Sequence, residues 1–381
     1  MKTLITNAHV ISPEVDIENA SVLIDGKIIA GIYLAEEPLP AADKIVDAEG
    51  KMLLPGFVDI HFHGRSGHDF CDGKIESLKT IAFEKLKDGV TSFLGTTLTV
   101  EEAMLSTAIT SASEYMQSDY SGAKILGIHL EGPFFNPKCV GAQNPDFLRL
   151  PDIEMVKRLN SIFPVKKVSY SIELDGAIQF TKQLVDMGIM PACAHSAAKY
   201  SDFKKVWALG LKHMSHFCNV MTPLHHLEIG LVGGGLLHKD VYIEMICDKI
   251  HLCPEMIQLL FEIKGPEKIM LITDAMRGAG MADGTYDLGG MKATVKDGCA
   301  RLDSGAVAGS TVLYSQGLRN VHEITGLPLK ELVKTTSWNQ ARSLNLGKLG
   351  KIESSYIADL VICENDFSPL MVFVDGRQIL I

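Results

Sequence analysis

The chain has 381 residues, more than a single hydrophobic core usually serves, so one large domain with a smaller companion is expected. Hydrophobic residues make up 46% and charged residues 22%, ordinary values for a globular enzyme. A formal net charge of −10 argues against a nucleic-acid partner, which needs a basic stripe, yet it allows a small anion held by a few local cations.

The first thirty residues, MKTLITNAHVISPEVDIENASVLIDGKIIA, alternate apolar and polar side chains, and no charged region leads into an unbroken apolar run. No signal peptide is therefore expected, and no segment approaches the ~18 consecutive apolar residues of a membrane span. Eight cysteines are scattered without a CxxC pair, which reads as free thiols in a reducing compartment and makes the cytoplasm the expected location.

In chain order, residues 4–10, 21–24 and 27–32 are β-rich, and Asp25-Gly26 between the last two is a hairpin signal. The C-terminus has the same texture, with runs at 358–363, 371–374 and 378–381 and a second hairpin signal at Asp375-Gly376. Neither end can bury a core alone, so residues 1–54 and 346–381 are expected to pair into one small β-sandwich. Across residues 55–345, eight apolar strand-like runs alternate with amphipathic segments at 75–88, 101–116, 152–160, 177–187, 201–209 and 254–264. Alternation of this kind predicts a parallel α/β fold. Neither GxGxxG nor a P-loop follows the first strand, and eight is the closure number of the (β/α)8 TIM barrel, the expected architecture.

Side chains that bind metals fall where these strands end. His61 and His63 are two apart, so in a strand both face the barrel interior while Phe62 packs outward. Glu131 ends ILGIHLEGP, His195 ends MPACAHS, His216 sits in KHMSHF, and Asp274 ends IMLITDA. Active sites of this barrel lie on that face, and a shared cation would partner buried groups that otherwise pay heavily for desolvation. One divalent cation at Glu131, His195 and His216 is expected, with a second beside His61 and His63 and Glu131 bridging. Zinc or iron suits these donors, and Asp274, expected with the other five around the metal, is also placed to move the proton in amide hydrolysis. His129 shares the face of Glu131 and is expected either to support the ligands or simply to pack. His68, His213, His225 and His226 are expected in loops or on the surface.

These segments are recognisable together. LLPGFVDIHFHG, GVTSFLGTT, LGIHLEGPF followed by GAQNP, AHS, SHFCNVM, LITDAMR with DGTYDLGG, AGST at 308–311 and the closing ADLVI occur in that order along nearly the whole chain. The sequence resembles the N-acetylglucosamine-6-phosphate deacetylases of the amidohydrolase superfamily. The resemblance implies a homodimer that removes acetate from an amino-sugar phosphate in amino-sugar recycling. It implies Glu131, His195 and His216 as principal metal ligands, His61 and His63 as marks of the binuclear members, and Asp274 as acid and base. It further implies that Gln143 polarises the acetyl carbonyl and that His251, Asn219 and the backbone at Val220 contact the sugar phosphate.

Departures from the family pattern lie at the substrate rim. The family's HHREPG reads His225-His226-Leu227-Glu228-Ile229-Gly230 here, so a phosphate-gripping arginine is replaced by Leu227, which has no donor. Lys249, in Asp248-Lys249-Ile250-His251, is expected to restore a positive charge. Leu227 leaves open a deacetylase of another N-acyl amino sugar, either a galactosamine isomer or one without phosphate. A non-catalytic homologue has no use for Asp274, and a dihydroorotase-like enzyme usually bridges its metals with lysine where this chain has Glu131.

Overall fold

The computed structural model describes residues 1–381. Eight parallel strands form a nearly closed barrel in chain order. They are β1 (Phe57–Asp59), β2 (Val90–Thr96), β3 (Lys124–Glu131), β4 (Val165–Tyr170), β5 (Met190–Cys193), β6 (His213–Met214), β7 (Tyr242–Ile246) and β8 (Ile269–Ile272). The seam between β1 and β8 is bridged just past the strand ends. There Asp274 N donates to the His61 carbonyl at 2.8 Å, and His63 N donates to the Ala275 carbonyl at 2.8 Å. Asp59 reinforces the seam, accepting from Thr273 Oγ1 at 2.6 Å and from Lys85 Nζ at 2.5 Å. Two prospective site segments thus form the closing joint themselves.

Six helices fall where amphipathic periodicity places them: Ile75–Leu86, Glu102–Gln117, Ile153–Ile162, Ala177–Asp186, Tyr200–Ala208 and Pro254–Lys264. The third is typical: Asp152 caps it by accepting from Glu154 N at 2.9 Å and Met155 N at 3.1 Å, and Met155, Val156 and Leu159 form its buried face. A helix at Gly230–Leu237 runs against propensity, since three consecutive glycines disfavour it. Packing explains it: a β-carbon on Gly234 would sit 2.8 Å from the Phe203 ring, and one on Gly235 would sit 2.6 Å from Met214 Sδ. Helices Tyr314–Thr325 and Trp338–Ser343, and an antiparallel sheet of Gly284–Leu288, Met291–Lys296 and Cys299–Leu302, are further elements beyond those expected.

The two chain ends form one eight-stranded sheet. Its first strand, Lys2–Ser12, pairs in parallel with Lys44–Asp47 along its first half and with Met52–Pro55 along its second. The C-terminal strand Leu360–Cys363 lies antiparallel to Met52–Pro55. Fifteen buried residues drawn from both ends fill a core separate from the 73-residue cluster of the barrel. The two Asp-Gly turns meet: Ala358 N donates to the Lys27 carbonyl at 2.9 Å, and Lys27 Nζ reaches Asp375 at 3.2 Å.

Lys124, at the start of β3, fastens this sheet to the barrel. Its buried ammonium contacts Asp359 at 2.8 Å and Asp375 at 2.6 Å, and Asp359 also accepts from Ser92 Oγ on β2 at 3.1 Å. Lys124→Met leaves Asp359 buried without its cation, a loss that typically costs about 3–5 kcal/mol. The denaturation midpoint of that variant is expected to fall clearly below wild type; an unchanged midpoint would show that the pair does not fasten the two parts.

Candidate metal centre

Each prospective ligand stands at the C-terminal mouth of the barrel, in a repeated relation to its strand. Glu131 is the last residue of β3, whereas His61, His195, His216 and Asp274 each lie two residues beyond the ends of β1, β5, β6 and β8. His61 and His63 therefore follow the hydrogen-bonded part of β1 instead of lying within it, although Phe62 is buried edge-on against Phe93 as a strand alternation would place it. His195, His216 and Asp274 have positive φ of 47°, 30° and 47°. Such backbone costs about 1–3 kcal/mol per non-glycine residue and concentrates at sites the fold over-determines.

These kinks bring six side chains together. Glu131 is 1% exposed. Its Oε1 lies 3.1 Å from His61 Nε2, 3.1 Å from His216 Nε2 and 3.6 Å from His195 Nε2, and its Oε2 lies 3.1 Å from His63 Nε2. Asp274 Oδ1 is 3.2 Å from His63 Nε2 and 3.6 Å from His61 Nε2. Two triads of metal-binding atoms result, His61–His63–Asp274 and Glu131–His195–His216. Gln143 is clamped beside them, accepting from Thr99 N at 2.8 Å and donating to Glu131 Oε2 at 2.7 Å.

The donor set fits a cation. Nε2 of His195 and of His216 face each other at 3.2 Å, both beside Glu131 Oε1, so the two nitrogens and the carboxylate converge on one point as ligands of a shared cation would. His61 Nε2, buried among carboxylates, has no hydrogen-bond partner. Electrostatics agree. Burial is the largest single influence on His61 and opposes its charged form, but Glu131 and Asp274 together raise its pKa to about 9. His63 is likewise raised well above its usual value against burial, by hydrogen bonding to Asp274 and Glu131. Burial alone would raise Glu131, yet the imidazoles around it hold it well below the usual carboxylate range. With no ion bound, protons on His61 and His63 supply positive charge there, whereas burial holds His216 below its usual value.

Over the cluster lies a cavity of about 250 Å³, just below the range of about 300–1,000 Å³ typical of drug-sized ligands, so it suits one small molecule. Asn219, Val220, Gln143 and His251 line it with the cluster residues, and no lysine or arginine does. Lys249 departs from expectation: its ammonium turns to Glu323 at 3.3 Å, outside the cavity wall. His251 does reach the cavity, held through Nδ1 by Asp248 at 2.7 Å. His225 and His226 are exposed in a loop, as expected. His213 is instead fully buried in β6, and His68 is half-buried in a two-residue strand with Nδ1 3.1 Å from Ser77 Oγ. Apolar neighbours in β6 and a local hydrogen-bond partner overrode the polarity on which the loop expectation rested.

The amidohydrolase family profile matches residues 52–379. The chain belongs to the amidohydrolase family. Among curated relatives of this amidohydrolase, the N-acetylglucosamine-6-phosphate deacetylase of Bacillus subtilis (strain 168) is 34% identical, over 98% of this chain and 96% of the relative. The N-acetylgalactosamine-6-phosphate deacetylase of Escherichia coli O157:H7 is 32% identical over 92% and 93%. A mutant N-acetyl-D-glucosamine-6-phosphate deacetylase of Mycobacterium smegmatis, solved in complex with N-acetyl-D-glucosamine-6-phosphate, superposes with a TM-score of 0.92 at 27% identity, covering 100% of both chains.

A charged layer not expected from the sequence lies under the amidohydrolase's cluster: His61 Nδ1 lies 2.8 Å from Glu244 Oε2, and Glu244 Oε1 accepts from Lys167 Nζ. A lone glutamate inside the otherwise apolar stretch VYIEMIC was the available signal. His129 packs edge-on against His61, ring centroids 4.5 Å apart, so it supports the cluster and does not face the cavity.

Because His61 titrates near 9, protons compete with any cation below that pH, and affinity is expected to rise with pH until His61 is neutral. Zinc added to the metal-free protein near neutral pH should therefore release protons. Calorimetric heats would then vary with the ionisation enthalpy of the buffer; heats independent of buffer would contradict protonated histidines.

Proposed function

We propose that this amidohydrolase hydrolyses the acetamide of N-acetylglucosamine 6-phosphate, giving glucosamine 6-phosphate and acetate. One observation carries the reading: the hydrolytic cluster opens into a single small cavity, in a chain alignable end to end with a structure that holds this sugar phosphate. Glu131, His195 and His216 hold one divalent cation, zinc or iron by their donor chemistry, and His61, His63 and Asp274 form the place for a second. Such a cation supplies Lewis acidity toward the acetyl oxygen and the attacking water.

The chain's own groups do the rest. Burial opposes ionisation of Asp274, but His61 and His63 hold its pKa below the usual range, so it enters the reaction as a base. It takes a proton from the attacking water and returns it to the departing nitrogen. Gln143 has one amide hydrogen on Glu131 and its oxygen on the Thr99 N–H, which leaves one N–H for the acetyl oxygen. His251, Asn219 and the Val220 backbone receive the sugar phosphate. Burial disfavours the imidazolium of His251, but Asp248 outweighs it and raises the pKa, so His251 supplies positive charge where the cavity has no lysine or arginine.

The reading extends to a homodimer in the cytoplasm. Leu224 and Leu227, 58% and 82% exposed in the loop after Val220, give a second copy an apolar contact, and eight free cysteines suit a reducing compartment.

Acetate release from N-acetylated hexosamines, with and without 6-phosphate, tests the assignment. kcat/KM should be greatest for N-acetylglucosamine 6-phosphate; a higher value for the galactosamine isomer or an unphosphorylated sugar would overturn it. Asp274→Asn should lower kcat by about 10²–10⁴-fold, the usual worth of a general acid–base, with the cation of Glu131, His195 and His216 retained. A near-normal rate would remove Asp274 from proton transfer. His251→Ala should raise KM for the phosphorylated sugar, whereas Lys249→Ala should leave it unchanged; the reverse pattern would place the phosphate at Lys249.

A further inference from the structure

Below the metal-binding cluster, the barrel interior is charged where this fold usually carries branched aliphatic side chains. Lys167 from β4 and Glu244 from β7 are both fully buried, and neither lines the cavity, so neither touches substrate. Stability does not explain them, because apolar side chains of similar volume commonly replace a buried ion pair without loss. Another task is needed.

The four imidazoles of the cluster differ in how their far nitrogens are held. His195 Nδ1 meets the Cys139 carbonyl at 3.0 Å, and Nδ1 of His63 and of His216 has no hydrogen-bond partner. His61 alone is held by a carboxylate, its Nδ1 lying 2.8 Å from Glu244 Oε2. A carboxylate only accepts, so Nδ1 keeps its hydrogen, and Nε2 is the nitrogen that gives up its proton to a cation. Nε2 lies 3.1 Å from Glu131 and 3.6 Å from Asp274. Lys167 binds the other Glu244 oxygen, and His129 braces the His61 ring from the side, itself held by Nε2 at 2.7 Å from Ser169 Oγ.

We infer that Glu244 is a positioning residue for the metal centre: it fixes the tautomer and ring plane of His61 so that Nε2 faces the cation shared with His63 and Asp274, and Lys167 holds Glu244 in place. This rests on the metal-centre reading above. Outer partners of ligating histidines generally act in this way, orienting the ring and raising its basicity.

Two double variants isolate the acceptor from the packing. Lys167→Met/Glu244→Leu removes both charges and the acceptor, while Lys167→Met/Glu244→Gln removes both charges but keeps an oxygen that can accept from Nδ1. Neither leaves a buried charge unpaired, so thermal unfolding should report both as folded. Zinc affinity is measured on the full-length metal-free protein by chelator competition without substrate, with His61→Ala as reference. The zinc-binding event weakened by His61→Ala should weaken by about 10–100-fold in the leucine variant and stay near wild type in the glutamine variant. Wild-type affinity in the leucine variant, or equal weakening in both, would overturn the positioning role. Zinc binding left unchanged by His61→Ala would instead sink the reading of His61, His63 and Asp274 as a cation site.

Discussion

One buried carboxylate organises this molecule. Glu131 is almost fully excluded from solvent yet has four imidazole nitrogens within 3.6 Å, contributed from beyond the ends of β1, β5 and β6. A carboxylate taken out of water loses several kcal/mol of solvation unless charge of opposite sign replaces it. The imidazoles supply that charge by taking up protons or by sharing a cation, and two of them converge on the same carboxylate oxygen at 3.1 and 3.6 Å. The electrostatics of the barrel mouth follow from that constraint: depressed carboxylates, raised His61 and His63, and a clamped Gln143.

The fold meets the constraint by repetition. Parallel strands deliver their ends to one rim, and a left-handed residue two positions beyond the strand turns the side chain inward at His195, His216 and Asp274. These residues stand on the rigid edge of a packed barrel, with the backbone of His61 and Asp274 hydrogen-bonded across the seam. Precision at the cluster is thus inherited from closure of the barrel. The sheet built from both chain ends is tied to that barrel through Lys124, at the far end of the strand that carries Glu131.

Much of this is legible in the amino-acid sequence alone. Alternating apolar runs and helices announce the barrel, and the Asp-Gly turns announce the sheet of the two termini, because both signals are local and periodic. The six cluster residues are legible because each chemistry-bearing side chain closes an apolar run. What escapes depends on tertiary packing. The Gly230–Leu237 helix contradicts its own propensity and forms where Phe203 and Met214 exclude a β-carbon. The burial of His213 and the Glu244–Lys167 pair inside the barrel are set by neighbours distant in sequence. The direction of Lys249 is set by a glutamate 74 residues away. Charge in the sequence indicates only that a cation is nearby, and its rotamer decides that the cavity lacks it.

The space between Glu131 and its imidazoles is the place proposed for inorganic charge. Anomalous diffraction at the zinc edge, from crystals grown with zinc, tests it most directly. A peak is expected about 2.0–2.2 Å from Glu131, His195 and His216, the usual zinc bonding distances. No peak within the cluster, or a peak only at some other part of the chain, would contradict it.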